Sequence, residues 1–291
     1  MTKTGAIDVD GPRDWSGDET KGLKQDDRTV RHFTVHHDGV AIPVSRGGRG
    51  RPLILCPGLN STQADLHTLI ELLRHDNDVM TFDLRGHGRT SATDRYSFEA
   101  FLGDLVAVMA ESRRLDLSSA PVLVGYSLGA DLAVHYASER PETVAELVLI
   151  DGANPVPERF ITEADLPDFR AMWEGLATQQ EAKRGTAGQV LLTGRDILEV
   201  NLEVDAVRSG ILDRYRQIDQ PITMIMSTSM AGASGDERAL RLNLNWRAGV
   251  DRLARARPHV STFWLDADHG LVFSHAEHIA QIIRGERRSA D

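Results

Sequence analysis

Residues 121–130 read PVLVGYSLGA and are the most informative part of this chain. An apolar run leads into Gly-x-Ser-x-Gly, and the residues that follow are compatible with a helix. A serine hydroxyl is a weak nucleophile at neutral pH, so chemistry at Ser127 needs an exposed position beside a base and hydrogen-bond donors. A sharp strand-to-helix turn provides that position, and Gly125 and Gly129 tolerate its crowded backbone. The segment therefore predicts a strand, a tight turn with a candidate nucleophile, and a helix.

The surrounding sequence alternates apolar runs with helix-like segments. Continuous apolar runs between amphipathic helices are typical of a parallel sheet covered on both faces. We predict strands over residues 53–56, 79–82, 122–124, 147–150, 222–226 and 262–265. We predict helices over residues 63–74, 98–113, 129–140, 238–257 and 276–284. Upstream, the turn signal Asp38-Gly39 separates two short runs and predicts an antiparallel hairpin at the edge of this α/β sheet.

The interval 152–220 interrupts this alternation. It is far longer than the roughly 2–6 residues of an ordinary loop in such folds, so we expect an inserted helical cap. Two amphipathic helices are predicted within it from apolar residues that repeat every three or four positions: Phe169, Met172, Trp173 and Leu176, then Val204, Val207, Ile211 and Tyr215. The expected organisation is a mobile leader over residues 1–28, a core over 29–151 and 221–291, and the cap over 152–220.

Composition excludes several classes of protein. The 291 residues are 41% hydrophobic, which is ordinary for a globular domain, and the formal net charge of −10 argues against nonspecific nucleic-acid binding. No apolar run approaches the roughly 20 residues of a membrane span, and residues 1–27 lack the apolar centre of a signal peptide, so we expect a cytoplasmic protein. The single cysteine, Cys56, excludes an internal disulfide and a cysteine-based metal site. We expect neither a metal nor an organic cofactor, and the sequence does not predict an oligomeric state.

A histidine near the carboxyl terminus is the candidate base. His269 lies in the segment DADHG at residues 266–270, between the last predicted strand and the last predicted helix. This position is at the carboxyl end of a parallel strand, the edge of the sheet where ligands bind. The neighbouring His275 and His278 are at the start of a helix or within it, where they are less suited to reach a nucleophile.

Two further segments make the chain resemble the α/β-hydrolase fold superfamily over roughly residues 31–284. Residues 55–60, LCPGLN, resemble the His-Gly turn that follows the third strand of that family, with Pro57 in place of the usual histidine. Residues 82–91, FDLRGHGRTS, resemble its Asp-x-Arg-Gly-x-Gly-x-Ser segment. Together with Gly-Tyr-Ser-Leu-Gly and the late histidine, these segments are similar to those of serine esterases, lipases and thioesterases with a cap.

The resemblance implies roles for several residues. The backbone N–H groups of Leu59 and Leu128 would form the oxyanion hole, the pair of donors that stabilises the negative oxygen of the transition state. Asn60, Tyr126 and Trp173 are candidate substrate-binding residues. Loop-fixing rather than catalytic roles are expected for Asp83, Arg85 and His87.

The carboxylate that would orient His269 has two candidates. In most of the family an acid follows the strand predicted at residues 222–226, but this chain reads STSM at residues 227–230. Asp236 follows a glycine-rich detour and would have to fold back to that position. Asp151 follows the strand at residues 147–150, where some lipases of the family carry their acid. Either choice keeps the order Ser, Asp, His, and a dyad without an acid is a third alternative.

The expected function is that of a serine hydrolase. It would cleave a carboxylic ester, thioester or lactone of a small, largely apolar molecule through an acyl-enzyme on Ser127. A serine rather than an aspartate at the turn disfavours the haloalkane dehalogenases and epoxide hydrolases of the superfamily. The alternatives are a non-hydrolytic or carbon–carbon-cleaving enzyme of this fold, or a receptor-like member that binds a ligand with weak turnover.

Overall fold

A computed structural model describes residues 30–285, so the predicted leader lies outside the described residues. Within this range one sheet has the strand order β1-β2-β4-β3-β5-β6-β7-β8. The strands are β1 Arg31–His37, β2 Val40–Gly48, β3 Arg51–Cys56, β4 Asn77–Phe82, β5 Val122–Tyr126, β6 Glu146–Ile150, β7 Ile222–Ser227 and β8 Ser261–Leu265. Strands β3 to β8 pair in parallel, whereas β2 pairs antiparallel with both β1 and β4. The predicted α/β architecture is confirmed, including the hairpin at Asp38-Gly39, where both residues have a positive φ.

Helices cover both faces of the sheet. They are α1 His67–Arg74, α2 Phe98–Ser112, α3 Leu128–Glu139, α4 Leu166–Glu181, α5 Gly194–Ser209, α6 Ile211–Tyr215, α7 Glu237–Ala256, α8 Leu271–Ser274 and α9 Ala276–Arg284. Helix α1 begins later than predicted because Thr62 and Asp65 close a side-chain-bonded turn in front of it. One apolar cluster joins α1, α8 and α9 to the sheet, and a larger one joins α2, α3 and α7 to the other face.

The long interval between β6 and β7 contains α4, α5 and α6. The second apolar stripe predicted there is shared by two helices, because α5 ends at Ser209 and α6 begins at Ile211. Ile211 and Tyr215 are fully buried in the larger core cluster, and Val204, a buried member of the same cluster, also lines a cavity. This part of the chain therefore contributes to the central core as well as to a covering layer.

No helix within residues 30–285 is long and apolar enough to cross a membrane. The carboxyl ends of the parallel strands meet at one edge of the sheet. The turn after β5 and the loops after β3, β6 and β8 lie there, and they carry the candidate site residues.

Candidate active site

Ser127 occupies the turn between β5 and α3. Its φ of 52° and ψ of −120° are in a region that residues other than glycine rarely adopt, which is typical of strain held at a functional site. The turn is packed too closely for a side chain at Gly129, where a Cβ would lie 2.3 Å from the carbonyl oxygen of Cys56. The amide of Ser127 donates to the carbonyl of Ile150 at 2.9 Å, which fixes the turn against β6.

His269 lies between β8 and α8 and contacts the serine directly. Its Nε2 is 2.9 Å from Ser127 Oγ, and its Nδ1 is 2.8 Å from Asp151 Oδ2. Because a carboxylate only accepts, Nδ1 carries the hydrogen and Nε2 is left to accept the hydroxyl proton of the serine. The hydroxyl of Tyr126 donates to the carbonyl of His269 at 2.8 Å, and the two rings pack 5.4 Å apart.

Asp151 follows β6 and is fully buried. Its φ of 45° is also positive, so a second strained backbone position lies beside the first. The carboxylate accepts from the amide of Ser227 at 2.8 Å, from the hydroxyl of Ser227 at 2.9 and 2.8 Å, and from Trp246 Nε1 at 3.1 Å. Ser227 ends β7, which is where most of the family would carry the acid, and here it donates to an acid on the neighbouring strand.

The structure does not bring Asp236, the alternative acid, to His269. The glycine-rich residues 231–235 lead into α7 instead of folding back, and Asp236 caps that helix by accepting from the amide of Ala239 at 2.8 Å. Hydrogen bonds from the Ser234 hydroxyl and from this amide lower the pKa of Asp236. Of the two candidates, only Asp151 pairs with the imidazole.

The two expected oxyanion donors lie beside Ser127. Leu128 is the first residue of α3, so its amide has no acceptor in a preceding helical turn. Leu59 lies in the loop after β3, and neither amide has an acceptor among the described residues. Both residues line the same cavity as Ser127. A Cβ at Gly58 would lie 2.9 Å from the Cβ of Ser127, which shows how closely this loop passes the serine.

Buried polar residues hold this loop. The amide of Asn60 donates to His87 Nε2 at 3.3 Å, and His87 Nδ1 donates to the carbonyl of Arg85 at 2.9 Å. Burial lowers the pKa of His87 to about 4, so the neutral ring can both accept and donate. Asp83 accepts from the amide of Gln63 at 2.6 Å, and burial raises the pKa of Asp83 to about 6. These contacts agree with the loop-fixing roles expected of this segment.

A cavity of about 740 Å³ opens at Ser127 and His269. Its wall is mainly apolar, with contributions from α4, α5 and α7: Phe169, Met172, Trp173, Val204, Leu242 and Trp246. Trp173 lines this cavity, as expected, but Asn60 and Tyr126 do not. The backbone amide of Asn60 donates to His87 Nε2, and the hydroxyl of Tyr126 donates to the carbonyl of His269, so substrate contact by these two side chains stays a prediction.

Sequence reasoning missed three residues of the site. Ser227 follows the strand after which most of the family carries the acid, and the absence of a carboxylate there is the signal that points to it. Trp246 and Arg208 lie on helices whose apolar spacing indicates burial but not contact with Asp151 or with the cavity. Their roles depend on how α5 and α7 pack over the sheet.

Part of this chain is similar to two curated proteins. An N-formylmaleamate deformylase from Pseudomonas putida is 33% identical over 123 residues, which are 42% of this chain and 44% of that protein. An sn-1-specific diacylglycerol lipase from Danio rerio is 27% identical over 106 residues, which are 36% and 32% of the two chains. The match therefore spans less than half the length of either curated relative.

The fold is also found in solved structures. A bromoperoxidase from Bacillus anthracis superposes with a TM-score of 0.66 at 17% identity, covering 88% of this chain and 99% of that one. The family description alpha/beta hydrolase fold matches residues 51–256, which is more than half of the chain. The chain therefore belongs to the alpha/beta hydrolase family.

Proposed function

We propose that this protein is a serine hydrolase that cleaves a carboxylic ester, thioester or lactone of a small, largely apolar molecule. The observation that carries the proposal is the continuous hydrogen-bonded series from Ser127 Oγ through His269 to Asp151, with distances of 2.9 and 2.8 Å. The series opens into a cavity whose wall suits an apolar substrate. Residues 152–220 act in this proposal as the cap that supplies much of that wall.

In the first half of the reaction, Ser127 Oγ attacks the acyl carbon while His269 Nε2 takes the hydroxyl proton. Negative charge moves to the carbonyl oxygen, which the amides of Leu59 and Leu128 receive. Asp151 holds the imidazole in the correct tautomer and stabilises its protonated form. His269 then gives the proton to the leaving oxygen or sulfur as its bond to carbon breaks, and the acyl group stays on the serine.

In the second half, water replaces the leaving group. His269 Nε2 takes a proton from this water, whose oxygen attacks the acyl carbon, and the same two amides hold the oxyanion. Collapse of the intermediate returns the proton to Ser127 and releases the acid. No step calls for a group beyond those of this chain, water and the substrate.

The similarity to the deformylase supports a second candidate for the bond that is cleaved, the bond between a formyl carbon and an amide nitrogen. That protein is named for N-formylmaleamate, and the matched part of this chain is 33% identical to it. The same acyl-transfer steps apply to an N-formyl group. A substrate panel should therefore contain an N-formyl amide beside short and medium esters.

Substitution of the two carboxylates tests the proposal. We expect Asp151→Asn to lower kcat on p-nitrophenyl hexanoate by roughly 10⁴-fold, because an amide favours the wrong imidazole tautomer. Asp236→Asn is the matched control, since that carboxylate caps α7 outside the hydrogen-bonded series. Equal activity of the two variants would reject the assignment of the acid. A folded wild-type protein that hydrolyses no ester, thioester, lactone or N-formyl amide would favour a receptor-like member.

A further inference from the structure

Arg208 is a cation within the wall of the candidate cavity. It lies near the end of α5, its side chain is only 12% exposed, and it lines the cavity with Ser127. The other lining guanidinium, Arg238, is 44% exposed and pairs with Asp168 on α4. Arg208 therefore lies deeper in the cavity than Arg238.

The orientation of the Arg208 side chain is fixed on two sides. Its Nε and Nη2 donate to the two carboxylate oxygens of Asp131 at 2.9 and 2.6 Å, a paired geometry that specifies direction as well as charge. Its Cζ lies 5.5 Å from the centre of the Trp246 ring. Since Trp246 Nε1 donates to Asp151, the guanidinium is placed close to the series of residues that includes the serine.

The guanidinium keeps donors that the protein does not use. Arginine has five N–H donors, and the two hydrogen bonds to Asp131 involve only Nε and Nη2. Among the described residues, Nη1 has no hydrogen-bond partner. Nη1 is not among the buried side-chain atoms that lack a partner, and Arg208 lines the cavity, so this donor is accessible to water or to a ligand.

The charge around Arg208 disfavours an anionic ligand. Asp131 is fully buried and balances the guanidinium, and the buried carboxylates Asp205 and Asp151 also act on it. Burial opposes the charge of Arg208, but these three carboxylates outweigh that effect and raise its pKa. Three carboxylates thus act on one guanidinium. These carboxylates would repel the carboxylate of a ligand, whereas an uncharged ligand oxygen can accept the hydrogen bond without that cost.

We infer that Arg208 is a substrate-positioning donor, and that the substrate carries an uncharged carbonyl oxygen in its non-reacting part, which accepts from Nη1. This inference rests on the proposed function and narrows it to apolar esters or related compounds with a second, neutral oxygen function. The fixed guanidinium orients this part of the substrate in a cavity whose wall is otherwise mainly apolar.

Ligand binding tests the inference without catalysis. In a Ser127→Ala background, which prevents covalent addition, titrations with 2-octanone and octanoate are followed by tryptophan fluorescence. We expect the ketone to bind at least about tenfold more tightly than the carboxylate. Octanoate binding as tightly as the ketone would overturn the inference.

Substitution of Asp131 should shift this preference toward the carboxylate. Asp131→Asn keeps an acceptor for the guanidinium but removes the charge that balances it, so octanoate should gain at least about tenfold relative to 2-octanone. In Arg208→Leu/Asp131→Leu both charges are removed together, which avoids an unpaired buried ion, and 2-octanone should bind about tenfold more weakly. Arg214→Leu is the matched control, because Arg214, on the neighbouring α6, pairs with Glu139 at the end of α3 and does not line the cavity.

An unchanged ketone-to-carboxylate ratio in Asp131→Asn would overturn the inference, whether or not the double variant folds. Hydrolysis of p-nitrophenyl hexanoate by protein that retains Ser127 is measured separately. Ester hydrolysis with no dependence of binding on Asp131 would reject the role of Arg208 alone. Binding that follows the expected order without hydrolysis would reject the proposed function alone.

Discussion

Asp151 is held by donors on two other elements besides the histidine. Ser227 at the end of β7 and Trp246 on α7 both donate to it, in addition to His269. A fully buried carboxylate needs such donors to offset the hydration it loses. Because these donors lie on β7, on α7 and in the loop after β8, they also fix the oxygen that meets His269 Nδ1.

The indole N–H of Trp246 provides a direct test of this arrangement. Trp246→Phe keeps an aromatic ring against Arg208 and Phe160 but removes the donor to Asp151. We expect kcat on p-nitrophenyl hexanoate to fall by about tenfold, because a hydrogen bond to a charged group is lost. Steady-state kinetics on protein with an unchanged circular dichroism spectrum measures this effect.

Trp264→Phe is the matched control for that substitution. Trp264 lies on the edge strand β8 and is 40% exposed, so the same change there should leave kcat within about twofold, as for most surface substitutions. Equal kcat values for the two variants would show that the indole N–H of Trp246 does not support the acid.

At the scale of single residues, a local sequence pattern was sufficient to predict two of the three residues in the hydrogen-bonded series. Ser127 is marked by its flanking glycines, and His269 by its position directly after the last strand. The acid could not be chosen, because Asp151 and Asp236 both keep the chain order and the choice depends on the course of residues 231–235. Arg208 could not be predicted, since burial on an amphipathic helix does not specify contact with a cavity.

At the scale of elements, the close approach of α3 to the sheet decides where Ser127 points. Gly129, in the first turn of α3, lies against the loop after β3, where a Cβ would be 2.3 Å from one backbone oxygen and 2.6 Å from the next. Such backbone contacts cannot yield by rotation of a side chain. Helix α4 differs, because nothing lies within 4 Å of a Cβ at Gly175.

These two glycines predict stability changes of opposite sign. Gly129→Ala should lower the free energy of unfolding by about 1–3 kcal/mol or more, because it overpacks a fixed backbone. Gly175→Ala should raise it by about 0.5–1 kcal/mol, because glycine inside a helix is costly relative to alanine. Urea denaturation measures both values. A neutral or stabilising Gly129→Ala would contradict the packing described for α3.

The elements themselves were largely predictable from apolar periodicity. The helix predicted at residues 98–113 is observed as Phe98–Ser112, and the one at 276–284 as Ala276–Arg284. The helices within residues 152–220 were less predictable, because the apolar repeat of three or four residues continues across the break at Gly210. Periodicity predicts which side chains are buried, but it does not reveal that one helix ends and another begins between them.

At the scale of the whole molecule, the site exists only when distant parts of the chain come together. His269 is 142 positions from Ser127 and 118 from Asp151, and the three residues follow the ends of β8, β5 and β6. The parallel sheet gathers these ends at one edge, so the sequence pattern that predicts the sheet also predicts a shared edge. The pattern does not predict how α4, α5 and α7 close over it, and those helices form much of the cavity wall.

Reaction of the folded protein with a fluorophosphonate tests the central claim most directly, because this reagent is attacked by an activated serine. Intact-mass spectrometry and peptide mapping should find one adduct, on Ser127. The adduct should be absent from His269→Ala and from urea-unfolded protein, since activation requires the assembled site. A folded protein that forms no adduct, or one whose labelling at Ser127 is unaffected by His269→Ala, would contradict the proposed mechanism.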